Sequence, residues 1–518
     1  MRFLTAALGL LLLTRVAADL PQAAPSSKAA ANLPAPNLVL TGTVHGSQNQ
    51  TYFSIPFQVP AGVHRITVYF THDKLAEHTA LDLGIADPER FRGNSGGNKQ
   101  QFTIGESDAT PSYLPGAIIP GEWKLLISVP NIRSNVTAHY RAEIWFNLRI
   151  DDTSFTEHPL SDRAGWYRGD LHMHTAHSDG SCPNQTGQPV PCPLFVTVQT
   201  AVKRGLDFIA ITDHNAVSQY DDERELQPYF NKLLLIPGRE MTTFHGHANI
   251  WGTTRFVDYR VGTPGVPNIN AMFRTAHEFG ALVSINHPEA PSGEICMGCG
   301  WTANPPANMR LVNAVEVMNG NGGRGFFPGV DFWQSQLAQG YRLTAVGGSD
   351  NHHGGWPPSQ VGSVGSPTTV VHAANLSVAA ILAGIRAGHV FVDLSGSRGR
   401  LLTMKAHADG HFAAMGDDLE LHTHTPVALT LHIADCAGDT VKFYVDGKPA
   451  AALPPLPVSS AEATLHTAWT TDGRRHWIRA EVRDASGKLM LFGNPVYLNF
   501  GQAAPPSASV TASVSKGN

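Results

Sequence analysis

From Pro193 to Leu394 the chain alternates two hydrophobic rhythms, and no other feature limits its fold as much. Helical patterns (PLFVTVQTAVKRG, INAMFRTAHEFG, DFWQSQLAQG, SVAAILAGIRAG) are each followed by a short apolar run: LDFIAIT, ALVSIN, YRLTAVGGS and HVFVDL. Apolar runs of that length, each reached through a helical stretch ending in glycine, predict βα units and so an α/β fold with a parallel sheet or barrel. The flanks have a different period. YFSIPFQV, HRITVYFTH, EWKLLISV and YRAEIWFNLRI upstream, and PVALTLHIAD, TVKFYVDG and HWIRAEVRD downstream, read as short strands. The expected organisation is an N-terminal β-sandwich or jelly-roll over 38–150, an α/β domain over 160–396 and a small C-terminal β-sandwich over 397–500. A Pro/Ala/Ser-rich linker (19–37) and a tail (501–518) have nothing to build a core.

Polar residues gather where the central strands end. GDLHMHTAHSDG packs His172, His174 and Asp179 into one short stretch, and the alternation of the two histidines on an extended backbone aims both the same way. DFIAIT runs into Asp213 and His214, LLLIPGR into Glu240 with His247 beyond, ALVSIN into His287, and LTAVGGS into Asp350 and His352. Each cluster alone is an ordinary turn or a solvated loop. Together they share one structural context, the end of a strand, where side chains from distant segments of a βα barrel converge. Imidazole and carboxylate are costly to bury unpaired, so the joint reading is a metal site.

The remainder of the chain bounds the class. Of 518 residues 42% are hydrophobic and only 15% charged, with a formal net charge of -5 and no basic stripe; nucleic-acid binding has no electrostatic footprint here. The start, MRFLTAALGLLLLTRVAADL, has a basic residue, an apolar run and small residues near Ala18, the layout of a secretory signal over 1–18. Periplasmic or secreted localisation is therefore expected, without stable membrane insertion once the signal is cleaved. Export permits disulfides. Cys182, Cys192, Cys296 and Cys299 lie in two loop-like segments, with Cys436 left over; disulfides within or between the loops are the first reading and a four-cysteine zinc site the second.

DLHMHTAHSDG, ITDHN, GRE, GHANIWG, NHP and GGSDNHH, in that order, resemble the polymerase and histidinol phosphatase (PHP) superfamily of metal-dependent hydrolases, and more narrowly its CehA/McbA branch, whose C-terminal ending LFGNPVYLNF also matches. The resemblance covers about residues 160 to 400. It implies a distorted seven-stranded (β/α) barrel and two or three divalent metals. His172, His174, Glu240 and Asp350 would hold the first. Glu240 would bridge to a second, completed by His247 and His287, and Asp179, His214 and His352 would hold a third. Asp170 and Asp213, each preceding a ligand histidine, are expected to fix imidazole tautomers, while His177, His245 and His353 are surplus to the pattern. The insert from Ser181 to Pro193 should overhang the site.

Nitrogen and oxygen ligands without thiolate suit zinc, manganese or iron. Such ions lower the pKa of bound water, so metal-bound hydroxide makes a serine or cysteine nucleophile unnecessary. The expected substrate is a small molecule carrying a phosphoester; a carbamate, carboxylic ester or amide is the alternative. Phosphate would want a cation, for which Arg324 in NGNGGRGFFPG and Arg239 beside Glu240 are the candidates, with Arg324 preferred as a catalytic residue. A neutral carbonyl substrate would lean instead on Phe326, Phe327 and Trp356. A secreted binding protein with structural metals is the reading of another class, and oligomeric state is open.

Overall fold

A computed structural model describes residues 33–321 and 325–501. The signal-like segment 1–18, most of the linker, the tail beyond Gly501 and Arg324 lie outside the described residues.

The N-terminal strands are β1 (Leu38–His45), β2 (Tyr52–Val59), β3 (Arg65–His72), β4 (Ala80–Ala86), β5 (Phe91–Asn94), β6 (Gln101–Gly105), β7 (Gly121–Asn131) and β8 (Thr137–Phe146). They form two antiparallel four-stranded sheets, ordered β1-β8-β3-β6 and β2-β7-β4-β5. Alternating residues such as Val68, Ile85, Trp123, Leu125 and Ile144 fill one core of their own between them.

After the short helix α1 (Ile150–Thr153) come β9 (Gly165–Asp170), the hairpin of β10 (Ser181–Pro183) and β11 (Pro189–Pro191), α2 (Leu194–Arg204) and β12 (Phe208–Ile211). Next are α3 (Gln219–Leu226), β13 (Leu234–Thr243), β14 (Gly246–Trp251), α4 (Ile269–Glu278), β15 (Leu282–Ile285) and β16 (Ala314–Asn319). The run closes with β17 (Phe327–Pro328), α5 (Val330–Ala338), β18 (Thr344–Gly348), β19 (Thr368–Ala373), α6 (Val378–Ala387) and β20 (Val390–Asp393). The four helical patterns and the strands after them form where their periodicity places them. Helix α6, for example, begins at Ser377, whose hydroxyl accepts from Ala380 N, and stops at left-handed Gly388.

Pairing is less uniform than an all-parallel (β/α) barrel. β9–β12, β12–β13, β15–β16 and β16–β18 are parallel, but β14 runs antiparallel to both β13 and β15, and β19 antiparallel to β9 and β20. The reason is local: β13 and β14 are joined through Phe244 and His245, and so short a link permits only an antiparallel hairpin. The expected break near residue 397 does not interrupt the sheet either. Strand Leu489–Gly493 pairs with β20, and Trp477, Phe492 and Tyr497 share a core with Trp333, Leu343 and Ala345. Strands Thr440–Val445, His476–Arg483 and Val496–Leu498 belong to that same sheet, while Leu401–Ala408, His411–Ala414, Pro426–Ala434 and Glu462–Thr470 make a separate four-stranded antiparallel sheet.

Candidate metal centre

Strand ends bring the predicted ligands together. His172 and His174 follow β9, His214 follows β12, His287 follows β15, and Asp350 and His352 follow β18. Glu240 and His247 come from the β13–β14 hairpin, in which Glu240 lies opposite Asn249 and Thr242 opposite His247. Three groups of ligand atoms each lie within 4.8 Å of one another: His174, Asp179, His214 and His352; His172, Glu240 and His287; His172, His174 and Asp350.

Glu240 is central, and its two oxygens face different histidines. Oε1 is 3.3 Å from His172 Nε2, 3.3 Å from His287 Nε2 and 3.4 Å from His247 Nδ1; Oε2 is 2.8 Å from His214 Nδ1 and 3.5 Å from His174 Nε2. Asp350 Oδ1 approaches His174 Nε2 at 3.0 Å and His172 Nε2 at 3.4 Å. Asp179 reaches His352 Nε2 at 3.4 Å and His214 Nε2 at 3.7 Å.

The donor set passes a physical test for divalent ions. His172 Nε2, His174 Nδ1, both ring nitrogens of His247, His287 Nδ1 and Glu240 Oε2 are buried without a hydrogen-bond partner. Leaving such atoms unsatisfied costs about 1–3 kcal/mol each, a cost that metal ligation would remove at His172 Nε2, Glu240 Oε2 and one nitrogen of His247. His287 and Asp350 also hold left-handed backbone, with φ of 27° and 51°, strain of the kind that persists where surroundings over-determine a residue. Electrostatics agree. Burial opposes charge on His172, yet Glu316, Asp350 and Glu240 hold its pKa well above the usual imidazole value. Burial pushes His174 well below that value, with His352 and His214 adding repulsion. Burial works against the Glu240 carboxylate too, but His172 and His214 keep it ionised far below the ordinary range.

The expected roles of Asp170 and Asp213 need correction. Asp170 accepts from the backbone of His172, Ser349 and Gly365, and Asp213 from Thr175 N, Thr175 Oγ1 and Ser178 Oγ. Both brace loops, and neither holds an imidazole. The carboxylate that does is Glu316 on β16: Oε1 lies 2.7 Å from His172 Nδ1, and Oε2 accepts from His287 N and Asn319 Nδ2. A Cβ at Gly348 would collide with the Glu316 carboxylate and with His172, so a glycine is required there. Asn286 Nδ2 donates to Glu240 Oε1 at 2.9 Å and Asn319 Nδ2 to Asp350 Oδ2 at 3.2 Å. Losing such an outer partner typically costs about 10–100-fold in metal affinity. Glu316→Gln should therefore weaken metal binding in that range, read by competition with a chelator, while Glu316→Asp should restore part of it.

Around the rim, His177 pairs with Ser218 and Asp222 on the α3 side, His245 is exposed, and His353 meets Ser181 Oγ at 2.8 Å and stacks on Trp356. Arg239 is no phosphate clamp. Strand alternation turns it away from Glu240, and it is fully buried, donating to Arg255 O and lying over Phe256. Cys182–Cys192 and Cys296–Cys299 form disulfides, each within its own loop, and Cys436 is free and buried. The first closes the β10–β11 insert, which Ser181 N ties to His352 O. The second lies in a loop that packs on the β13–β14 turn, where Phe244, Ile295 and Met297 are exposed.

The chain matches no protein-family model and no curated protein. Among solved structures it is similar to a two-domain protein from Bacteroides vulgatus described as containing a predicted PHP-like metal-dependent phosphoesterase (20% identity, 65% of this chain and 96% of that chain, TM-score 0.35). PsfC from Pseudomonas syringae is more distant (16% identity, 40% and 83% of the two chains, TM-score 0.25). So is a Pyrococcus furiosus CARDB domain in complex with di-metal ions (13% identity, 20% and 96%, TM-score 0.13). At TM-scores below 0.5 likeness carries no argument about chemistry, which rests on the side chains themselves.

Proposed function

We propose that this protein is an exported PHP-type hydrolase of the CehA/McbA kind, cleaving a phosphoester of a small molecule at a cluster of two or three divalent ions, zinc, manganese or iron. The observation that carries the reading is the convergence of His172, His174, His214, Glu240, His247, His287, Asp350 and His352, several with buried atoms lacking any partner. Ions held there would lower the pKa of coordinated water toward about 7 and neutralise charge on a phosphoryl or carbonyl oxygen. The chain's own residues then orient and expose. Glu316 fixes the His172 ring, and Asn286 and Asn319 fix the carboxylates of Glu240 and Asp350. Asp179, His214 and His352 are 59%, 25% and 20% exposed at the side chain, against 0% for His172, His174 and Glu240, so substrate enters on their side. Export is supported by the signal-like start and by two disulfide-bonded loops. No described helix is long and apolar enough to cross a membrane. The net charge of -5 argues against a nucleic-acid partner.

Hydrolysis of a carbamate or carboxylic ester is the second reading, and two observations favour it. Among the described residues no lysine or arginine pairs with a ligand side chain, and Phe244, Ile295 and Met297 are exposed apolar residues on and beside the β13–β14 turn that precedes His247. The test is turnover of p-nitrophenyl phosphate and of a naphthyl ester by the purified mature chain. Exhaustive chelation should abolish activity and added manganese or zinc restore it, with metal content measured in parallel; turnover that survives chelation overturns the metal mechanism. Ester turnover without phosphatase activity promotes the second reading.

A further inference from the structure

The strands that carry ligands at their C-terminal ends border a cleft at their N-terminal ends. It has a volume of about 750 Å³ and is lined by Ala281 ahead of β15, Asn313 ahead of β16 and Thr344 at the start of β18. The length of a strand, about 15 Å, separates it from the metal centre. A volume of this order suits a small molecule.

Its charge is one-sided. Arg310, Arg342 and Arg386 line it together with His277, and no aspartate or glutamate does, in a chain whose net charge is -5. The C-termini of α4, α5 and α6 end here, and helix C-termini attract cations, so the arginines could simply answer their carbonyls. They do not. The last carbonyls of α5 and α6 already accept from Gly340 N, Tyr341 N, Gly388 N, His389 N and Thr344 Oγ1, and those of α4 from Gly280 N and Ala281 N. Arg342 donates to Gly416 O and lies over Tyr497. Among the described residues the guanidinium groups of Arg310 and Arg386 have no hydrogen-bond or ion-pair partner; Arg310 donates its backbone N–H to Asn308 Oδ1. The carboxylates acting on Arg342 from outside the lining, Asp417 and Asp418, are occupied by His389 and by Phe500 N. Tyr341, Tyr497 and Phe500 add aromatic surface to the lining, with Arg475 lying over the Phe500 ring.

We infer that this cleft is a second, metal-free binding site for a small aromatic anion, such as an aryl phosphate, an aryl sulfonate or a nucleotide, with Arg310 and Arg386 taking the anionic group and Tyr341 and Phe500 the ring. Two free guanidinium forks match a phosphate or sulfonate, and ring stacking beside arginine adds to it. The site does not depend on the metal chemistry proposed above.

The test uses the full mature protein and naphthalene-1-sulfonate, which is not a phosphoester or ester and so is not a substrate under either reading of the metal site. Calorimetric titration should show one site, with inorganic sulfate and 1-naphthol each binding at least about tenfold more weakly. Arg310→Ala and Arg386→Ala, both exposed side chains whose loss leaves the fold intact, should each weaken the sulfonate by about tenfold or more, whereas Glu240→Gln should leave it unchanged. No binding by the wild type, or equal binding by the Arg310→Ala/Arg386→Ala double variant, overturns the inference. Sulfate binding as tightly as the aryl sulfonate overturns its aromatic half, and loss on Glu240→Gln moves the ligand to the metal centre.

Discussion

Glu240→Gln is expected to strip the centre of metal and to lower turnover by more than about a hundredfold, beyond the upper end of the cost of losing a mere outer partner. The substitution keeps the shape of the side chain and its contact with Asn286 Nδ2, and removes only charge. That charge lies among His172, His174, His214, His247 and His287, whereas Asp350 Oδ1 lies among His172, His174 and His352. Metal content by mass spectrometry and initial rates should therefore fall together. The antiparallel pairing of β13 with β14 and the surrounding apolar core do not use the carboxylate, so the far-ultraviolet spectrum should be unchanged. Normal metal stoichiometry at a normal rate would refute the bridging role.

Why this carboxylate is legible in the sequence and Glu316 is not has a physical reason. Glu240, His287 and Asp350 sit where an apolar run stops, and a polar residue at a strand end stands out against the period. Glu316 lies inside AVEVMN, a strand whose residues are nearly all buried, and its only signal is a lone charge in an apolar run, which demands a partner. That partner, His172, comes from 144 positions away. Arg239 shows the reverse case: adjacency to Glu240 suggests the site, whereas alternation along β13 sends it to the other face. The helices and strands of the central region are readable from periodicity, but the pairing of β14 with β15, the antiparallel place of β19 beside β9 and the sheet shared with Leu489–Gly493 are set by long-range pairing.

The same limit hides the polar network that joins the N-terminal sheets to the metal-binding region, because its members come from five distant segments. Asp108 is fully buried. It accepts from Arg65 through both terminal nitrogens, from Arg224 Nε at 2.6 Å and from Thr254 Oγ1 at 2.9 Å, while Arg65 Nε reaches Asp152 at 2.6 Å. Arg224 belongs to α3, the helix whose Asp222 meets His177. Asp108→Ala leaves two buried guanidinium groups short of a counter-charge, and breaking a buried pair from one side costs about 3–5 kcal/mol. Thermal or urea unfolding should register a loss of that size. The pH dependence has a definite sign. Burial alone would raise the Asp108 pKa, but Arg224 and Arg65 hold it well below the ordinary carboxylate range. A depressed folded pKa stabilises above the unfolded value of about 3.9 and is lost as pH falls through the folded value. The gap between wild type and Asp108→Ala should accordingly stay constant from neutrality down to about pH 5 and close only in stronger acid. A gap that widened on acidification would show that Asp108 is protonated in the folded protein and that the network is not an ion pair at all.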